Sequence, residues 1–209
     1  VLTAQAFRNV YDTGSELVTG ASAVDCRVIF RDQAVNNAAT SVLLPYFPQM
    51  AAKDLAVQAT MMRARMDLEL QPENIAAGLG MIQGLIRQFQ SIPMPVTAVP
   101  PVISAGMAGR KGDRTFQISY VGGVRLPEEI QRHIAGITVC YSPFLLPVYI
   151  MAIENGGMLR IVWTQNCEGS EPVRELYRLL KAEVPETEFA DRGLQTFDGF
   201  YLEHMETVG

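Results

Sequence analysis

Apolar residues open the chain at helical spacing: Leu2, Ala6 and Val10 share one face with Phe7 beside them, and Gly14 closes the segment. The period then changes. Ala23 to Phe30 is short and rich in β-branched and aromatic residues, which predicts a strand, and a second strand is expected from about Thr40 to Tyr46, ending at the prolines Pro45 and Pro48. From Ala51 the helical spacing returns, with Leu55, Ala59, Met62, Met66 and Leu70 on one stripe. Pro72 interrupts it, and Ile75, Leu79, Ile82, Ile86 and Phe89 continue it until Pro93 and Pro95. The methionines of this region read as core filling rather than a flexible binding surface. Ile92 to Gly112, rich in Pro, Gly and Ala, reads as a long connection or an irregular helix.

The last third alternates. Arg114 to Val121 predicts a strand, Gly122-Gly123 marks a turn or a close backbone approach, and Leu126-Pro127-Glu128-Glu129-Ile130 starts a short helix with two acids near its positive end. Three further strands are expected, at Ile137 to Tyr141, Leu146 to Ile153 and Met158 to Thr164. Glu154-Asn155-Gly156-Gly157 between the last two is a hairpin signal, because Asn and Gly accept the positive φ of tight turns. Alternation puts Leu159, Ile161 and Trp163 on one face of the final strand, with one sheet face buried and the other mixed. A closing helix is capped at Ser170 and turns Val173, Leu176, Leu179 and Leu180 inward. This order of elements predicts an α/β (α+β) fold: a mixed, largely antiparallel sheet with helices packed on one face.

Composition narrows the function. A chain of 209 residues, 48% apolar and 19% charged, can bury one sizeable core. No apolar run approaches the roughly 20 residues of a membrane span, and the first residues lack the basic and apolar regions of a secretory signal. A net charge of −5 argues against a nucleic-acid surface. Cys26, Cys140 and Cys167 are widely spaced and odd in number, so they read as reduced thiols of a cytoplasmic protein and as neither disulfides nor a metal site. The helical stripe begins at the first residue without Met or an N-cap, so the chain is expected to be cut from something longer.

Only two histidines, His133 and His204, are available as a general base, and neither accompanies a nucleophile pattern such as G-x-S-x-G. His133 reads as a dispensable surface histidine. No phosphate-cradling G-x-x-x-x-G-K and no G-x-G-x-x-G after a strand occurs.

Three short patterns in order carry a resemblance. Val24-Asp25-Cys26-Arg27 followed by Asn37-Ala38-Ala39-Thr40-Ser41-Val42-Leu43-Leu44-Pro45-Tyr46 is similar to the Val-Asp-Leu-Arg end and Asn-containing strand of condensation-type acyltransferases and their alcohol-acetyltransferase-like relatives. Phe116 to Val124, continuing into Arg125-Leu126-Pro127-Glu128-Glu129, resembles that family's Ser-Asn-Leu-Gly strand and its Leu-Pro-Glu continuation, with Tyr120 where relatives carry Asn. Leu159 to Asn166 resembles the late strand before the last helix.

The resemblance implies one lobe of a chloramphenicol-acetyltransferase-like fold, the C-terminal lobe, over residues 1–184, with 185–209 as a tail. It implies an acyl group moved from a CoA or carrier-protein phosphopantetheine thioester to a hydroxyl or amine. The family's His-His-x-x-x-Asp-Gly signature belongs to an N-terminal lobe and is absent here, so no catalytic residue is carried over. The partners expected are that lobe and small-molecule substrates, with self-association a way to cover a bare face. A binding or interaction domain that retains the lobe without the chemistry is the competing expectation. Asn37, Thr40 and Ser41, and Ser119 and Tyr120 beside Gly122, are the candidate substrate-binding residues. Their small polar groups can orient a thioester carbonyl or pantetheine amide, and glycine leaves room for it. The two segments are expected to line one groove.

Overall fold

The computed structural model describes residues 1–11, 13–30, 39–91, 115–141, 147–166 and 169–190. Among them, strands β1 (Val18–Asp25), β2 (Ala39–Tyr46), β3 (Phe116–Val124), β4 (Val148–Asn155) and β5 (Met158–Gln165) lie in one sheet ordered β2-β1-β3-β4-β5. The fold is mixed α/β. The outer pairs β1–β2 and β4–β5 are antiparallel, and the inner pairs β1–β3 and β3–β4 are parallel.

The helices are α1 (Leu2–Tyr11), α2 (Cys26–Phe30), α3 (Leu55–Glu69), α4 (Pro72–Gln90), α5 (Glu128–Gln131) and α6 (Glu171–Glu183). Following the register, Tyr46, Val18, Phe116, Ile150 and Trp163 share one sheet face. Ala4 and Phe7 of α1 and Met62 of α3 close a core over that face, in which Phe7 stacks on both Phe116 and Trp163 at 5.8 Å between ring centres. A second cluster joins Val42 and Val24 of the sheet to Cys26, Met66, Leu70 and Ile75. Helix α6 packs on α1, where Asn9 Nδ2 donates to Glu175 Oε1 at 2.6 Å.

The sequence reading placed the first strand too late. β1 begins at Val18, and Cys26–Phe30 is helical. Its centre, Thr19-Gly20-Ala21-Ser22-Ala23, lacks bulky β-branched residues because the neighbouring strand fills the space: a Cβ on Gly20 would lie 2.7 Å from the Phe116 ring. The strand stops where Asp25 accepts from the Arg27 backbone N–H at 3.0 Å and turns the chain into α2. In β2, Pro45 is accommodated because β2 is an edge strand.

Other expectations shift for similar reasons. β3 does not turn at Gly122-Gly123 but runs on to Val124 through a bulge between Tyr120 and Gly122. Residues 137–141 form no strand: the Arg160 guanidinium donates to Ala135 O at 2.8 Å and the Thr164 hydroxyl to Tyr141 O at 2.8 Å, so side chains hold this segment. On α3 the buried position is Gln58, and Ala59 is exposed. The β4–β5 hairpin forms as expected, with Gly156 and Gly157 as a two-residue turn at φ +59° and +74°. Ser170 occupies the N-cap position of α6, but its hydroxyl accepts from Arg174 Nε at 2.9 Å instead of capping the backbone. The side chains of Ile82, Ile86 and Phe89, and the segment from Ile92 to Arg114, lie outside the described residues.

Candidate functional site

The candidate site lies where the sheet divides. β1 pairs with β2 from Val18 to Asp25, and β3 pairs with β4 from Gln117 to Val124, yet β1 and β3 pair only at Gly20–Ser22 with Phe116–Ile118. Beyond that point Ala23–Asp25 and Ser119–Val124 have no register with one another. Both strands run in the same direction, so their C-terminal ends flank this opening, the place where parallel sheets of many proteins receive ligands.

Most of the candidate residues collect around it. Ser41 is paired with Ala23, and Ser119 follows the last β1–β3 pair, so the two serines stand on the same face, separated by one strand. Thr40 and Tyr120 fall on the other face, the one that carries the helices, because side chains alternate. The two segments are therefore close in the sheet while their side chains divide between its faces. Gly122 takes φ +98° at the bulge, a conformation that suits glycine, and nothing lies within 4 Å of where its Cβ would be. Asn37 lies outside the described residues.

Tyr120 is 60% exposed and its hydroxyl donates to Glu154 Oε2 at 3.3 Å. Register places Tyr120, Ala152 and Ile161 in one row across β3, β4 and β5, with Leu159 one row farther on the same face. Ile161 is 41% and Leu159 59% exposed, so the expectation that this face of β5 is buried holds only near Trp163, where α1 covers it. The result is an apolar surface at the end of the sheet that none of the described helices covers.

Two groups here carry chemistry that the sequence did not mark. Asn155, read as a turn residue, is buried: its Nδ2 donates to Val124 O at 3.2 Å and to Gln131 Oε1 at 2.9 Å, while Gln131 Nε2 donates back at 3.2 Å. This reciprocal amide pair ties α5 to the ends of β3 and β4. Asp25, at the end of β1, receives both Nε and Nη2 of Arg27, at 2.9 and 2.7 Å, and those bonds hold its carboxyl below the usual range.

Nucleophilic catalysis finds little support among the described residues. Burial, and then the negative charge of Asp25, push the Cys26 thiol up, away from the reactive thiolate. His133 is exposed, and its Nε2 accepts from Arg132 Nε at 3.1 Å with no hydroxyl or thiol bonded to it. No group of three or more His, Cys, Asp or Glu side chains suited to a metal occurs among the described residues, and none of their helices is long and apolar enough to cross a membrane.

No family model and no curated protein matches the chain. The chain is similar to a solved structure. The epimerization domain from the third module of tyrocidine synthetase B aligns with a TM-score of 0.47 and 15% identity, over 87% of this chain and 38% of that one. The chain thus spans well under half the length of that structure, and no residue role passes from it.

Proposed function

We propose that this chain is the C-terminal lobe of an acyltransferase that moves an acyl group from a CoA or carrier-protein phosphopantetheine thioester to a hydroxyl or amine. The catalytic histidine comes from an N-terminal lobe bearing His-His-x-x-x-Asp-Gly, and this chain supplies one wall of the substrate passage. The observation that carries the reading is the uncovered apolar row of Tyr120, Ile161 and Leu159 beside the opening between β1 and β3. Such a surface on a small protein marks an interaction face. It adjoins the segment whose order of residues resembles the family's Ser-Asn-Leu-Gly strand.

In this reading Tyr120 of β3 and Thr40 of β2 contact the thioester arm on the face of the apolar row, and Ser119, Gly122, Ser41 and Asn37 contribute across the opening between β1 and β3. Self-association through the same row covers it when the N-terminal lobe is absent. The decisive experiment is acyl transfer by the two-lobe protein with Ser119→Leu. The Michaelis constant for the thioester donor rises about tenfold if a hydrogen bond and an open path are lost together. An unchanged constant overturns the assignment of this wall. A binding domain without chemistry is the alternative reading, and a gene whose upstream region encodes no His-His-x-x-x-Asp-Gly lobe would favour it over acyl transfer.

A further inference from the structure

One charge interrupts the uncovered apolar surface. Glu154 stands opposite Gly123 of β3 and Leu159 of β5, on the sheet face that carries Tyr120 and Ile161. The Tyr120 hydroxyl reaches it from the neighbouring row and donates to Oε2 at 3.3 Å. No basic side chain pairs with Glu154 among the described residues. Arg160, the cation nearest to it along the hairpin, turns to the opposite face and donates to Ala135 O. Gly123 leaves the space beside the carboxylate open, with nothing within 4 Å of where its Cβ would lie.

The position of this charge restricts what can cover the surface. Tyr120 and Leu159 stand on either side of Glu154, so a partner that lies across both also covers the carboxylate. Glu154 is exposed, and water now solvates it. Under an apolar partner it would lose that water, and a covered carboxylate without a cation is strongly disfavoured. The phenol does not answer this, because one neutral donor to one oxygen leaves the charge uncompensated. A basic side chain both neutralises the charge and bonds the second oxygen. A second copy of the same surface, made of Tyr120, Gly123, Ala152, Glu154, Leu159 and Ile161, brings apolar contacts but no cation.

We propose that this surface docks a segment of the N-terminal lobe in which one Arg or Lys, set among apolar side chains, pairs with Glu154. The proposal rests on the acyl-transfer reading, which supplies the lobe, and adds the chemistry by which the lobe is recognised. Tyr120, Ile161 and Leu159 give the contact its apolar area, and the ion pair fixes how the two lobes register.

The test compares Glu154→Gln, Glu154→Lys and Leu159→Lys by thermal unfolding, in the two-lobe protein and in this chain alone. In the chain alone Glu154 is exposed, and both of its variants keep the wild-type midpoint. In the two-lobe protein Glu154→Gln leaves the partner's cation unpaired and lowers the midpoint by about 5 °C, and Glu154→Lys sets a second cation against it and lowers it further. Leu159→Lys reports on the acyl-transfer reading: a loss confined to the two-lobe protein shows the surface covered by the lobe, and no loss there overturns that reading and the ion pair together. Where Leu159→Lys is damaging, neutral or stabilised Glu154 variants overturn the ion pair alone. Equal losses in the isolated chain overturn it as well, by making Glu154 a partner of Tyr120 only or, if the losses grow with protein concentration, of a second copy.

Discussion

The Tyr46 hydroxyl donates to Gln58 Oε1 at 2.6 Å, and both residues are buried. The same oxygen accepts from Gln5 Nε2 at 3.1 Å, and Gln58 Nε2 donates to Lys53 O at 2.6 Å, so one amide joins α1, β2 and the entry to α3. Replacing Gln58 with Leu leaves the Tyr46 hydroxyl, the Gln5 amide and the Lys53 carbonyl without it, and is expected to cost about 2–3 kcal/mol. Tyr46→Phe removes one bond and leaves the Gln5 contact, and should cost about 1 kcal/mol. Urea unfolding of both variants checks the order; equal losses would show that the amide does not organise the contact.

Gly20 is held free of a side chain by the Phe116 ring, 2.7 Å from the place its Cβ would take. Gly20→Ala is therefore expected to destabilise by about 1–3 kcal/mol through overpacking, despite the better strand propensity of alanine. Phe116→Leu in the same chain should recover part of the loss. A stabilised Gly20→Ala variant in the same urea titration would refute the close approach.

Acid sensitivity follows from Glu175, whose pKa is lowered from 4.5 to about 2, first by its hydrogen bonds from Arg178 and also by the bond from Asn9. The folded value is the lower one, so the stability it brings is complete above 4.5 and disappears as pH falls towards 2. Asp25, held low by Arg27, acts in the same direction. Unfolding midpoints measured down the acid range should fall less steeply in Glu175→Gln than in wild type, and a parallel pair of curves would exclude this role.

The exposed row on β5 should govern association more than folding. Leu159 is 59% exposed, so Leu159→Lys is expected to change stability by no more than about 0.5 kcal/mol. It should lower the apparent mass at high protein concentration in light scattering. A wild-type chain that stays monomeric throughout would remove the support this row gives to an interaction face.

What was legible in the sequence was what local chemistry decides. Gly156-Gly157 announced its hairpin because only positive φ closes so short a turn, and Pro72 marked the boundary that opens α4. The misplaced start of β1 has the opposite origin: Gly20, Ala21 and Ser22 suit a strand only because Phe116, distant in sequence, lies beside them. Gln58 could have been found, since it stands four residues before Met62 and eight before Met66 on the helical repeat, but polarity hid it. At the candidate site, the placing of Ser41 and Ser119 near one opening needed the strand order, and the burial of Asn155 needed its partner Gln131. No spacing along the chain encodes either.

The short β1–β3 contact also has a mechanical consequence. Three residue pairs join β2-β1 to β3-β4-β5, and α1 staples the two parts at one end, with Phe7 stacked on Phe116 and Trp163 in a cluster that also takes in Val18 and Tyr46. The molecule is built like a pair of shears pivoted at α1, with its blades free at Asp25 and Val124. Opening there breaks no ladder hydrogen bonds, so it belongs among the least costly motions of the sheet. Amides of Ser119 to Val124 that point toward β1 should then exchange with solvent sooner than those of β4, although both strands lie inside the sheet.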